Sequence, residues 1–139
     1  MLPKPIGATA RGMTLVELVI VVAVMAILLA TAVPSYRSYM LRVHRSEAIG
    51  MLLRASMCQE RINASRGYYD TNQCHPGSEL PHYQLVYHSP DTRSRSYIAM
   101  AVPIGAQLAD PCGKLSLDQN GARSISAADI SVMKCWNGR

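Results

Sequence analysis

The sequence predicts an α+β fold in which a long N-terminal helix, half of it transmembrane, packs on a four-stranded antiparallel sheet. Three observations support this prediction: an apolar run at residues 13–33, helix-compatible residues at 34–64, and short alternating runs separated by Gly, Pro, Asn and Ser at 65–139. Residues 1–12 precede the apolar run and carry no hydrophobic stripe. We therefore expect four segments: a leader, a transmembrane half-helix, an amphipathic half-helix and a β-rich globular region.

The composition is that of a small chain with an apolar N-terminal part and a polar body. Hydrophobic residues make up 49% of the chain and charged residues 17%, a balance too apolar for an intrinsically disordered protein. The net charge is +5, from 14 Lys and Arg against 9 Asp and Glu. The first twelve residues contain two of the basic residues and no acidic one, so the net charge of the remaining chain is +3. This excess is too modest to indicate nucleic-acid binding by itself.

The apolar run is long enough to cross a bilayer once, since residues 13–33 as a helix span about 31 Å against a hydrocarbon thickness of about 30 Å. Its composition leaves three interpretations open: a signal peptide cleaved after Ala32, an uncleaved anchor, and an anchor whose leader is removed ahead of the run. Two features argue against a signal peptide. Glu17 places a carboxylate inside the apolar run, and the run is longer than the usual core of about 7 to 15 residues.

The residues around Gly12 resemble the class III signal of type IV prepilins and pseudopilins. The matching segment is GMTLVE at residues 12–17, followed by the apolar run and Pro34. The resemblance implies that a prepilin peptidase cleaves between Gly12 and Met13 and that Met13 is then N-methylated. The family usually has phenylalanine at the position of Met13, for which methionine is an apolar substitute.

Glu17 is the fifth residue after this cleavage, where the family places its glutamate. A carboxylate in a hydrocarbon environment is costly unless it is paired. The resemblance implies that Glu17 pairs with the N-terminal amine of a neighbouring subunit and sets axial register during assembly. The alternative is a carboxylate near the helix end that reaches the cytoplasmic interface.

Residues 34–64 predict a continuation of the same helix to about Ala64, with Arg66 and Gly67 closing it. Pro34 removes a backbone donor, so a bend near Ala30 is expected. The resemblance implies that the helix melts locally near Pro34 when the subunit assembles. The family often has a glycine at the fourteenth position after the cleavage site, where this chain has Ala26. Apolar residues at helical spacing predict the stripe that covers the sheet. They are Ile49, Leu52, Leu53, Met57 and Ile62.

Four strands are predicted in the globular region, near Tyr83 to His88, Ser96 to Val102, Lys114 to Leu117 and Ile130 to Trp136. Asn120 and Gly121 form the strongest turn signal, because both residues tolerate the positive φ that a tight hairpin requires. The core of so short a region is small, and covalent cross-links would stabilise it.

Four cysteines, all after the apolar run, predict two disulfides in an oxidising compartment. Of the three connectivities we expect Cys58–Cys74 and Cys112–Cys135, because each closes a short loop. The segment from Cys112 to Trp136 resembles the C-terminal disulfide region of type IVa pilins, most closely that of PilE-type minor pilins. A zinc site is the alternative, with His44, His75, His82 and His88 as further ligands. No paired Cys or His spacing supports it.

Five basic residues of the globular region could form a DNA-binding patch, as in the competence pilins of the resembled family. They are Arg93, Arg95, Arg123, Lys134 and Arg139, with Tyr68, Tyr69, Tyr83, Tyr87 and Tyr97 available for stacking on bases. The alternative is a solvated polar face on a mildly basic protein. No nucleophile and base signature or phosphate-binding glycine loop is visible, so we predict no enzyme, no cofactor and no metal.

The resemblance implies a minor type IV pilin, a structural subunit that primes pilus assembly and takes part in adhesion, twitching motility or DNA uptake. Its partners are other major and minor pilins, the prepilin peptidase, the inner membrane and, as a further candidate, DNA. Two alternatives remain: a DNA-binding competence or adhesive pilin, and a pseudopilin of a type II secretion system.

The cysteines and the resemblance place the globular region in the periplasm before assembly and in the extracellular pilus afterwards, with one pass through the inner membrane. The basic flanks argue for the opposite orientation, because two basic residues precede the apolar run whereas Arg37, Arg42 and Arg45 follow it. We follow the cysteines, and the charge bias has no explanation in the sequence.

The predicted processing can be tested on protein purified from membranes of a strain that has a prepilin peptidase. We expect Met13, carrying one added methyl group, as the mature N-terminus, measured by mass spectrometry of the intact chain and its N-terminal peptide. A mature chain that begins at Val33 would instead establish a secreted soluble domain.

Overall fold

The computed structural model describes residues 12–75, 80–90 and 92–137. In chain order the elements are α1 (Leu15–Arg66), β1 (Tyr69–Asp70), β2 (Tyr83–His88), β3 (Arg93–Ser94), β4 (Ile98–Pro103), a 3-10 helix (Gly105–Ala109), β5 (Leu115–Asp118), β6 (Arg123–Ile125) and α2 (Val132–Trp136). The chain divides into two compact units, of which the first ends at Arg37 and the second begins at Ser38.

α1 has a defined start and end. Thr14 precedes the helix, and its Oγ1 accepts the backbone N–H of Glu17 at 3.2 Å, which satisfies one of the free donors of the first turn. Gly67 follows the helix with φ of 76°, and its N–H donates to the carbonyl of Asn63 at 2.8 Å. A glycine in this conformation is a common helix stop. The helix extends two residues beyond the predicted Ala64 and stops at the predicted Arg66-Gly67 signal, and it runs through Pro34 without interruption.

The first unit presents apolar side chains on all sides of α1. The side chains from Leu15 to Val33 are all exposed within the chain. By length and composition this helix is able to cross a membrane. A helix that is apolar all round needs lipid or other helices around it, and among the described residues of this chain nothing covers it.

The second unit contains the predicted four-stranded antiparallel sheet, in the order β2-β4-β5-β6. β2 has the predicted bounds, whereas β4 and β5 begin slightly later than expected. The β5–β6 hairpin turns at the predicted Asn120 and Gly121, with Gly121 at φ of 77°. β1 and β3 form a separate two-stranded ribbon that the sequence did not indicate, because two residues per strand are too few for a periodic pattern.

The strand predicted from Ile130 to Trp136 is wrong. Residues Val132–Trp136 form α2, and the fourth strand is β6, before that segment. Cys135 and Trp136 are both buried, although successive residues of a strand point to opposite faces. A helical turn places both side chains on one side of the backbone, so that Cys135 reaches Cys112 while the Trp136 indole donates to the carbonyl of Ser124.

The core lies between α1 and the sheet. The helix contributes mainly Ala48, Met51 and Leu52, and the sheet contributes Tyr83, Ala99, Ala101, Leu115 and Leu117, together with Tyr97 just before β4. Small alanines on both sides let helix and sheet approach closely, and the bulky tyrosine rings fill the remaining space.

The predicted helix stripe is only partly correct. Leu52 is fully buried and Ile49 packs against the core, but Leu53 and Met57 are 41% and 62% exposed. The residues that α1 buries also include the polar Arg45 and Gln59. Both polar side chains have hydrogen-bond partners that a linear sequence does not reveal, so the hydrophobic pattern was a poor guide to the buried face.

A buried ion pair joins α1 to the segment that leads into β5. Arg45 Nη2 and Nε donate to Oδ1 and Oδ2 of Asp110 at 2.6 and 2.9 Å. The carboxylate also accepts hydrogen bonds from the Tyr83 hydroxyl, the Gln107 amide and the Cys112 backbone N–H. Burial raises the pKa of Asp110, but the hydrogen bonds from Arg45, a backbone N–H and a hydroxyl outweigh it, so the pKa lies below its ordinary value of 3.8.

Asp110→Asn should destabilise the globular region by about 3 to 5 kcal/mol, because the Arg45 guanidinium stays buried without its counter-charge. The only tryptophan, Trp136, is buried, so its fluorescence reports thermal unfolding of the full mature chain in detergent. Arg66→Ala is the control, since its 4.0 Å pair with Asp70 involves a half-exposed side chain and should contribute at most about 1 kcal/mol.

The ion pair also predicts a loss of stability in acid. A carboxyl whose folded pKa is lowered stabilises the fold above its unfolded pKa of about 3.8, and this contribution disappears as the pH falls through the folded value. The melting temperature of the wild type should therefore fall more steeply below about pH 4 than that of Asp110→Asn. Parallel curves for the two proteins would contradict the role of Asp110.

Candidate nucleic-acid interface

The predicted processing and assembly residues lie at the start of the described chain and within α1. Gly12 and Met13 are exposed and precede the helix, Glu17 lies in its first turn, and Pro34 lies inside it. The roles that the family resemblance implies for these residues in cleavage, methylation and assembly depend on other molecules and stay predictions.

Both disulfides join the cysteines that were expected to pair. Cys58–Cys74 connects α1 to the loop after β1, with sequence separation 16. Cys112–Cys135 connects the segment before β5 to α2, with sequence separation 23. Each bridge therefore fixes an irregular segment to a regular element of the fold.

Three of the predicted DNA-binding residues lie at one end of the four-stranded sheet. β6 begins at this end with Arg123, and the connection from β2 to β4, which contains Arg93 and Arg95, crosses the same end. The Tyr97 N–H donates to Gln119 Oε1 at 3.3 Å and so ties this connection to the β5–β6 turn. All three arginines are exposed, and we call them the arginine end.

Two of these arginines lie over aromatic rings. The guanidinium carbon of Arg93 is 5.8 Å from the ring centroid of Tyr68, and that of Arg123 is 5.1 Å from the ring of Trp136. A guanidinium that rests on a ring face contacts the ring through its planar face and not through its in-plane N–H donors. The rings therefore restrict the positions of these two arginine side chains.

The other predicted basic residues are not brought to the arginine end by any described contact. Lys134 is exposed on α2, which packs beside β6. Arg139 lies outside the described residues. Arg66 was indicated by the sequence only as a helix end, yet its side chain lies beside β1, which pairs with the strand that carries Arg93. A basic residue in the last turn of a helix also interacts favourably with the helix dipole, so its position alone does not indicate a binding role.

The prediction that the tyrosines stack on bases is wrong for four of the five. Tyr69, Tyr83 and Tyr97 are buried, and Tyr87 packs against the core. Burial raises the pKa of Tyr87 to about 12, and it raises the pKa of Tyr83 further. These rings fill the space between helix and sheet, and only Tyr68, half-buried beneath Arg93, remains near the surface.

The histidines do not form a metal centre within residues 12–75, 80–90 and 92–137, where no group of His, Cys, Asp and Glu could hold an ion. His44 and His82 stack with ring centroids 3.6 Å apart, and His44 Nδ1 donates to Gln107 Oε1 at 3.2 Å. His75 lies edge-on to the ring of Tyr87. With all four cysteines in disulfides, no thiolate is available as a zinc ligand.

The comparisons with known proteins agree with this architecture. The prokaryotic N-terminal methylation motif matches residues 8–33, and together with the helix-on-sheet fold it defines the chain as a type IV pilin. The profile described as "Type IV minor pilin ComP, DNA uptake sequence receptor" matches residues 34–116, more than half of the chain. The chain belongs to this family of minor pilins. No curated protein gives a significant match.

Two solved structures show the same fold. A type IV pilin from Shewanella oneidensis shares 28% sequence identity with a TM-score of 0.54, covering 66% of this chain and 98% of its own. The non-core minor pilin PilV from Neisseria meningitidis shares 21% identity with a TM-score of 0.53, covering 68% of this chain and 95% of its own. The predicted fold class and the family resemblance are therefore confirmed.

Changing both Cys112 and Cys135 to Ser should destabilise the globular region by about 3 kcal/mol, from the entropy of the loop that the bridge closes. The emission of folded Trp136 should also shift to longer wavelength, because α2 loses its covalent attachment next to this residue. Changing Cys58 and Cys74 to Ser is the matched control: a similar loss of stability is expected with no shift of the folded emission. An unchanged melting temperature after loss of Cys112–Cys135 would contradict a stabilising role of that bridge.

Proposed function

We propose that this minor pilin is a DNA receptor of a type IV pilus and that the arginine end is its DNA-binding surface. The proposal rests on one observation: the fold gathers Arg93, Arg95 and Arg123, which are distant in sequence, at one end of the sheet in a member of the DNA uptake sequence receptor family. Lys134 on α2, which packs beside β6, adds a further positive charge to the globular region.

The chemistry of the arginine end fits a phosphate backbone. Planar guanidinium groups donate two parallel hydrogen bonds to phosphate oxygens, and each neutralised phosphate releases counterions. The nearby carboxylate of Asp118 accepts the backbone N–H groups of Asn120 and Ala122 at 2.9 and 2.7 Å, so it is engaged in holding the hairpin turn. The buried tyrosines, with raised pKa values, stay uncharged at neutral pH and add no negative charge to the surface.

The N-terminal half of the chain supports the delivery of this surface to the cell exterior. We propose that the prepilin is inserted once in the inner membrane with residues 38–139 in the periplasm, is cleaved after Gly12 and methylated at Met13, and then enters the pilus with other pilins. Glu17 would pair with a neighbouring N-terminal amine as the subunit joins the filament. Priming of assembly is a further role of such a subunit. Membership of the minor pilin family favours this reading over a pseudopilin of a secretion system.

The DNA-binding proposal can be tested on the mature chain in detergent with a fluorescent duplex, by anisotropy over a series of salt concentrations. Three phosphate contacts predict that log K falls against log salt with a slope of about −3. Arg93→Ala, Arg95→Ala and Arg123→Ala should each weaken binding and reduce the slope by about 1, because each removes one contact. Lys134→Ala should have a smaller effect.

Lys114→Ala is the matched control for these variants. Lys114 is also an exposed cation of the globular region, but it precedes β5 and so lies at the opposite end of the sheet from Arg123. Its removal should leave the salt slope unchanged. Binding that the triple arginine variant retains, or the absence of salt-dependent binding by the wild type, would overturn the proposal.

A further inference from the structure

Gln59 is a buried polar residue whose side chain is hydrogen-bonded to the backbone of another element. It is 0% exposed, near the C-terminal end of α1, within the face that packs on the globular region. Its Nε2 donates to the backbone carbonyl of Asp70 at 3.0 Å, and its Oε1 accepts the backbone N–H of Asp70 at 3.0 Å. The carboxamide therefore pairs with one residue of β1 in the way that a neighbouring strand would, satisfying both backbone groups.

The paired backbone belongs to the ribbon that carries part of the arginine end. Asp70 is the register partner of Arg93 in the β1–β3 pair. Tyr68, over which the Arg93 guanidinium lies, immediately precedes β1. A displacement of β1 therefore moves both the strand partner of Arg93 and the ring that supports its side chain.

The Asp70 side chain extends the same arrangement into the following loop. Its Oδ1 accepts the Asn72 N–H at 3.0 Å and its Oδ2 accepts Gln73 Nε2 at 2.8 Å. Cys74, which ends this loop, is bridged to Cys58, the residue before Gln59. The disulfide limits the distance between this loop and α1. The two hydrogen bonds of Gln59 fix the position of β1 relative to α1.

We propose that Gln59 is a positioning residue for DNA binding: its buried carboxamide fixes the backbone of Asp70 and thereby places Arg93 for contact with a phosphate. This inference rests on the proposed function. Gln59 does not touch DNA itself, and it acts on Arg93 through the β1–β3 ribbon. Its removal leaves the Asp70 N–H and carbonyl buried without their partner, so the ribbon must shift to find new ones.

The test uses Gln59→Met in the mature chain, measured by the same anisotropy and salt series. Methionine keeps approximately the volume of glutamine and removes both hydrogen bonds to Asp70. We expect weaker DNA binding with the salt slope reduced by about 1, as in Arg93→Ala, since the same phosphate contact is lost. The double variant Gln59→Met with Arg93→Ala should bind no more weakly than Arg93→Ala, whereas Gln59→Met with Arg123→Ala should be additive.

Gln107→Met is the matched control, because Gln107 is also a buried glutamine with several hydrogen bonds but anchors the 3-10 helix to α1. It should lower the melting temperature without changing the salt slope of the folded protein. If Gln59→Met does not fold, Gln59→Glu replaces it: glutamate keeps the acceptor for the Asp70 N–H and loses the donor to the carbonyl, so a partial loss of slope is expected.

The outcomes separate the two proposals. An unchanged slope for folded Gln59→Met, beside a reduced slope for Arg93→Ala, overturns the positioning role and leaves the DNA-binding surface intact. Additive losses in the Gln59 and Arg93 double variant also overturn it. Absence of salt-dependent binding by the wild type overturns the proposed function itself.

Discussion

The buried pair of Arg45 and Asp110 is the interaction on which the globular region depends. It fixes the rotation of α1, because Arg45 must face the sheet, and through Gln107 and Cys112 it holds the 3-10 helix and the start of the second disulfide loop. Buried ion pairs contribute little net stability compared with apolar replacements, but they do not tolerate the loss of one partner. We interpret the pair as a constraint that selects one arrangement of helix and sheet.

A second polar anchor repeats this logic further along the helix. Gln59 follows Arg45 by 14 residues, close to four helical turns, so both side chains lie on the same face. Between them the helix buries small and medium apolar residues such as Ala48 and Leu52. The apolar middle supplies the hydrophobic contribution, while the polar ends fix register, and each anchor holds a loop that is also tied by a disulfide. The polar anchor and the disulfide together hold each irregular loop in one position relative to the sheet.

The errors of sequence-based prediction have a common physical cause. Leu53 and Met57 were expected in the core, and Arg45 and Gln59 were not, because hydrophobic periodicity does not recognise a polar side chain whose partners come from Asp110 and Asp70. The segment that ends at Trp136 was predicted as a strand, yet its disulfide and its indole hydrogen bond require two adjacent side chains to point inward. The tyrosines were expected at the surface, but a tyrosine ring can be buried in a core while its hydroxyl group hydrogen-bonds to a polar partner.

The sequence by itself determined the membrane-length helix, its end at Arg66, the hairpin turn at Asn120 and Gly121, the fold class and the family resemblance. These features depend on local composition and on the spacing of nearby residues, which a linear reading preserves. The gathering of Arg93 and Arg95 with Arg123, and the buried pairs that hold the loops, were decided only by the tertiary structure. They join residues that are distant in the chain, and only the antiparallel order of the strands and the packing of α1 bring such residues together.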